Sequence, residues 1–282
     1  NDNGSRGDRV DFGPSAPPGL VKNGIFYGFG SIDPVGHALV FPYDPGFATG
    51  DAVTYRANQG KSISGLTDGT NARSLELLTQ MSGSLTLRLP GGSSAANTFS
   101  GGVTVKNAAL VFGGGAGAMP SSGTVGLESF GYVGTEDTSL YGANLGAYLS
   151  RLNVGAGGAV VGFDLPSGGA LTPVSGTVDL GRITIASAVA TAANKDPAIF
   201  LGTTSKAEIT GSIFLPANQS VLRFTGYKGG ELTVSSALSG AVGVQIGDQS
   251  SAASVTDPLN ATGPMSTVIL KGNNTYSGDT LL

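Results

Sequence analysis

From Leu20 onward, apolar side chains recur at every second position in runs of about five, and Gly-rich turns separate the runs. Spacing of two is the signature of a strand with one buried face. In Leu85-Thr86-Leu87-Arg88-Leu89 three leucines share one face and Thr and Arg the other, and Pro90-Gly91-Gly92 stops the run. Val103 and Val105 share a face, whereas Leu110 and Phe112 continue in the opposite phase, so the chain is predicted to turn a corner near Lys106-Asn107. Similar runs are Ile183/Ile185, Leu222/Phe224, Leu232/Val234, Val242/Val244/Ile246 and Val268/Leu270. Many short strands between Gly, Asn and Ser turns predict an all-β fold. Helix is expected only as decoration. Leu145, Tyr148, Leu149 and Leu152 stand at i, i+3, i+4 and i+7 within 140–152, and a second short piece is placed at Ala186–Asn194. Residues 1–19, rich in Asn, Asp, Gly, Arg and Pro and without apolar periodicity, read as an extended arm or linker.

One unit occurs twice. Ala96-Asn97-Thr98-Phe99-Ser100-Gly101-Gly102 returns as Asn273-Asn274-Thr275-Tyr276-Ser277-Gly278-Asp279, each copy after an alternating strand, Ser84–Leu87 in the first and Thr267–Leu270 in the second. With Ile213–Asn218, Leu222–Gly226 and Leu232–Leu238, this pattern resembles the autotransporter-associated β-strand repeat, also called the passenger-associated transport repeat, of large secreted or surface proteins of Gram-negative-type bacteria. The resemblance implies a right-handed parallel β-helix (β-solenoid) over residues 20–282. It is carried by the windows 84–127 and 207–282, while 128–206 departs from the pattern. It also implies a secreted or cell-surface location. At about 20–25 residues per coil, small residues suit corners where coils stack about 4.8 Å apart. A β-sandwich or jelly roll is the competing architecture. It requires antiparallel hairpins, and the Asn23-Gly24 and Asp68-Gly69 turns that would serve them are not regularly spaced.

Composition narrows the function. The 282 residues include 47 Gly and no Cys, with 12% charged residues against about a quarter in ordinary domains. Without Cys there is no thiolate catalysis, disulfide or Cys-type zinc site. With 15 Lys plus Arg, no basic cluster and a formal net charge of −4, nucleic-acid binding is not expected. No apolar run approaches the ~18–20 residues of a membrane-spanning helix; stretches such as 158–165 are short and broken by Gly.

The residues that chemistry would need are scattered. His37 is the single histidine, and neither a serine elbow nor a set of His ligands accompanies it. The acids Glu128, Glu136, Asp137, Asp164, Glu208, Glu231 and Asp248 show no catalytic or calcium-loop spacing. The adjacent pair Glu136-Asp137 reads as a solvated loop, and Gly113–Gly117 as a corner rather than a phosphate cradle, since no Lys-Ser/Thr follows it. Arg6-Gly7-Asp8 spells an adhesion tripeptide in the arm, and Asn218, Asn260 and Asn273 open glycosylation sequons. No catalytic, cofactor or metal residues are assigned. The expectation is a non-enzymatic structural or adhesive protein. Its partners would be copies of itself or further repeats of a longer chain, and cell-surface glycans. The chain stops inside a repeat, so a continuation of the stack is expected. A carbohydrate-binding or polysaccharide-degrading β-helix, using Asp164, Glu208 and Glu231, is the alternative.

Overall fold

The computed structural model describes residues 19–22, 25–29, 31–32, 39–40, 53–57, 72–78, 86–89, 97–106, 108–114, 118–120, 122–155, 157–166, 168–186, 198–216, 219–247 and 266–282. These are mostly β, with one short α-helix among them. Two long ladders dominate. Across the first, the order is Ile25–Phe29, Gly19–Lys22, Val53–Ala57, Arg73–Leu78, Val103–Lys106, Val125–Glu128, Leu152–Val154 and Thr184–Ile185. Across the second it is Thr86–Leu89, Ala109–Phe112, Gly131–Thr135, Ala159–Phe163, Ile199–Thr203, Val221–Gly226, Gly243–Ile246 and Thr280–Leu281. A third ladder pairs Lys206–Ile209, Glu231–Val234 and Thr267–Leu270.

Pairing is antiparallel only among the described strands of 19–57, and parallel in every described pair from Arg73–Leu78 onward. The hairpins that a sandwich needs are therefore confined, among the described residues, to the N-terminal part. Between Arg73 and Thr203 each pass of the chain lays one strand in the first ladder and the next in the second, and after Thr203 the third ladder takes the place of the first. Val103–Lys106 leads into Ala109–Phe112, and Val125–Glu128 into Gly131–Thr135. Register partners stand far apart in sequence: Ala109 opposite Tyr132, Ala159 opposite Ile199, Val221 opposite Gly243.

Asn107, at the expected corner, lies outside the described residues, but the strands on either side of it fall in different ladders and both phases reach the same core. Val103, Val105, Leu110 and Phe112 belong to one buried cluster with Leu127, Val133, Val154, Val161, Leu201 and Phe224. At the next pass the same corner is turned by Ser129 and Phe130, both left-handed at φ 50° and 59°. One pass further, Gly157 and Gly158 turn it at φ 89° and 83°. Ser and Phe pay a steric cost of roughly 1–2 kcal/mol each in that conformation, which glycine avoids.

Within 140–152 the helix is shorter than its periodicity predicts. Leu145–Leu149 is helical, with Leu145, Tyr148 and Leu149 buried, but Leu152 opens the strand Leu152–Val154 instead of continuing the helix. Pairing of Leu152 with Val125 in the ladder wins over one more helical turn. The proposed piece at Ala186–Asn194 and the arm at 1–19 lie almost wholly outside the described residues.

The duplicated unit makes the same kind of contact twice. Asn97 is buried and donates from Nδ2 to the Ala118 carbonyl, 3.2 Å away. The aligned Asn274 accepts at Oδ1 from the Leu238 amide, 3.0 Å away. In both copies the amide ties one pass of the chain to a neighbouring pass. Phe99 is fully buried in the core and Tyr276 packs half-buried against it.

Candidate functional site

A dense polar cluster lies on the outward face of the second ladder, where small residues line up. Gly134, Gly162 and Gly202 are register partners on three neighbouring strands, with Val111 before them and Thr225 after. The row beside it holds Ala109 and then the larger Tyr132, Val160 and Phe200. Gly134 and Gly162 form a shelf on which the Tyr132 ring lies, and Gly202 continues the row against Val160 and Thr225. A Cβ at Gly162 would overlap the Tyr132 hydroxyl and ring, and one at Gly134 would stand 2.7 Å from Tyr132 Cε1. Tyr227 stacks on Tyr132 with ring centroids 4.6 Å apart. The rings, with Ala109, Val111, Val160 and Phe200, form a second apolar cluster outside the main core.

At the rim of the shelf sits Asp164, 3% exposed, directly after Ala159–Phe163. Its Oδ2 accepts from the Tyr132 hydroxyl at 2.7 Å. Its Oδ1 accepts from the Thr204 amide at 2.8 Å, the Thr204 hydroxyl at 2.7 Å, the Thr203 hydroxyl at 3.2 Å and the Ser205 hydroxyl at 3.3 Å. The Asp164 amide donates to the Thr135 carbonyl, and the Tyr141 hydroxyl lies 2.6 Å from that same oxygen and 2.8 Å from the Asp164 carbonyl. One carboxylate thereby joins three strands of the ladder. Burial pushes its pKa up, and the hydrogen bonds from Tyr132, Thr204 and Thr203 oppose that rise. Burial, then the nearby Asp164 charge, pushes Tyr132, Tyr141 and Tyr148 well above the ordinary phenol range, so all three stay neutral.

A second ionic contact crosses the same face. Arg88 grips Glu136 with both ends of its guanidinium, Nε to Oε1 at 2.9 Å and Nη2 to Oε2. Glu136 is 7% exposed, so the expectation of a solvated loop is wrong for it. A carboxylate placed beside a strand end is buried here because an arginine two strands away reaches it. Asp137 caps the 3-10 turn Thr138–Leu140, accepting from the amide and hydroxyl of Ser139.

The other residues singled out from the sequence are spread over the molecule. Glu208 and Glu231 lie on one face of neighbouring strands in the third ladder. Glu208 accepts from the Ser235 hydroxyl at 2.6 Å, and Glu231 pairs with Lys206 at 3.4 Å. Glu128 pairs with Lys106 at 3.5 Å on the first ladder. Asp164 is not beside Glu208 and Glu231 on that face: it belongs to the second ladder and is consumed by internal hydrogen bonds. Asn273 is exposed. His37, Asp248, Asn218, Asn260, Arg6-Gly7-Asp8 and part of Gly113–Gly117 lie outside the described residues. Among the described residues no group of three or more acids or histidines is placed to hold a metal ion, and no helix is long and apolar enough to cross a membrane.

The Tyr132–Asp164–Thr204 cluster has no signature in the sequence, since its members stand 32 and 40 positions apart. Its chemistry is that of a structural pin: the carboxylate is saturated with donors and its phenols are neutral. No protein-family model matches the chain, and no curated protein or solved structure matches it.

Proposed function

We propose that this chain is a non-enzymatic structural element of the bacterial cell exterior. In this reading it is a right-handed parallel β-helix within a surface fibre or autotransporter-like passenger, associating end to end. The observation that carries the reading is the run of parallel ladders whose passes are tied by the repeated asparagines Asn97 and Asn274. The strands Thr267–Leu270 and Thr280–Leu281 have a neighbour on one side only among the described residues. Val268, Leu270 and Tyr276 on that last pass are half-buried, while Leu232, Val234 and Leu238 one pass earlier are fully buried. In this reading that edge is continued by further repeats of the same polypeptide or by a second copy, and copies adding head to tail without closing give an open fibre. Sedimentation across a concentration series, with negative-stain electron microscopy of the same samples, tests this. Filaments of uniform width that lengthen with concentration support self-assembly. A compact particle that is neither rod nor filament overturns the structural reading.

A carbohydrate-binding role is the second reading, favoured by the shared face of Glu208 and Glu231. Glu208→Gln and Glu231→Gln variants that bind and turn over glycans as the parent does would remove it.

A further inference from the structure

Four of the five donors to Asp164 are hydroxyls, those of Tyr132, Thr203, Thr204 and Ser205; the fifth is the Thr204 amide. A hydroxyl gives one hydrogen bond and can also accept, and its hydrogen rotates. When the carboxylate is ionised, these groups point their hydrogens at it. When it is protonated, the Ser205 oxygen accepts the new proton and turns its own hydrogen toward Thr203 Oγ1, 3.4 Å away, while Tyr132 and the Thr204 amide go on donating. The ring of partners thus serves both states, while burial penalises only the charged one. We propose that Asp164 is a proton-operated clamp across three neighbouring strands of the second ladder, one that takes up a proton without giving up a contact. This part of the protein is then held more firmly in mildly acidic surroundings than at neutral pH.

The titratable groups around the clamp leave the effect to Asp164 itself. Tyr132, Tyr141 and Tyr148 face it and stay neutral. Glu136 and Asp137 follow Gly131–Thr135 and act on Tyr141, with Glu136 neutralised by Arg88. Burial raises the folded pKa of Asp164 above its unfolded value. Between those two pKa values the folded chain holds a proton that the unfolded chain has released. The stability contributed by that proton is complete below the ordinary Asp value of about 3.9 and is lost as pH rises through the folded pKa.

The test compares thermal unfolding of the parent and Asp164→Asn between pH 4 and pH 7.5. The parent's Tm is expected to rise relative to the variant's as pH falls. A Tm difference that stays constant, or moves the other way, overturns the proposal. Should the variant fail to fold, titration of the Asp164 carboxyl carbon by NMR in the parent decides. A midpoint above the ordinary Asp value is expected, moving further up in Tyr132→Phe, which removes a donor to the charged form. A midpoint at or below the ordinary value refutes the clamp.

Discussion

Replacing Gly162 by alanine places a methyl group where the Tyr132 ring lies. The ring cannot yield cheaply. It is fully buried, stacked on Tyr227, seated on Gly134 and anchored through its hydroxyl to Asp164. Lifting it off the shelf forfeits a hydrogen bond to a charged acceptor, about 1.5–3 kcal/mol, and exposes or strains a large aromatic whose removal from a core costs about 3–5 kcal/mol. Part of that loss is avoided by relaxation, and alanine regains about 0.5–1 kcal/mol of backbone entropy over glycine. Gly162→Ala is therefore expected to cost about 3–4 kcal/mol. Tyr132→Ala should cost a similar amount, since it empties the same place. The double variant should cost little more than either single, because the new methyl then enters the space that the ring has left. The coupling expected from the double-mutant cycle is about 2–3 kcal/mol. Urea unfolding followed by circular dichroism and tyrosine fluorescence gives the three values. Gly142→Ala, where a Cβ meets nothing within 4 Å, serves as the control and should change stability by less than about 0.5 kcal/mol. Additive effects of the two substitutions, or a silent Gly162→Ala, would refute the shelf as the reason for glycine at that position.

Arg88→Met leaves the buried Glu136 carboxylate without its partner. Because Arg88 is about a third exposed, the expected loss is only about 1–2 kcal/mol, and the double variant Arg88→Met/Glu136→Leu should recover much of it in the same unfolding assay. Asn97→Ala removes the bond to the Ala118 carbonyl inside the protein and should lower stability by about 1–2 kcal/mol, read from the urea midpoint. Ser129→Gly relieves a left-handed corner at φ 50°. The relief of roughly 1–2 kcal/mol exceeds the entropy glycine costs, so unfolding should move to slightly higher urea.

Strands with one wet face were legible in the sequence; of those buried on both faces, Ala109–Phe112 was legible from Leu110 and Phe112, and three others were not. Val103 and Val105 alternate with the half-exposed Thr104 and the exposed Lys106, which gives the period of two. In Gly131–Thr135, Ala159–Phe163 and Ile199–Thr203 all five residues are buried. One set faces the main core and the other faces the tyrosine layer, so apolar and small residues follow one another without alternation. All three of these strands lie in 128–206, where the repeat pattern also lapses. Asp164 was visible only as one scattered acid at the end of an apolar run. Its partners arrive from strands far along the chain, and nothing local announces them. Leu152 shows the converse error: helical spacing was real, but a ladder partner at Val125 outweighed it.

The parallel ladders described above add strands one after another, so each strand's ladder partners lie in the adjacent passes. Stability in such an array is a chain of local couplings rather than the property of a single core. Heat or denaturant should then peel passes from an end inward, and amide hydrogen exchange should be slowest around Ala159–Phe163 and Ile199–Thr203, whose two faces are both covered. A cut or a destabilising change in the pass around 267–282 would cost that pass and its neighbour while leaving the glycine shelf standing.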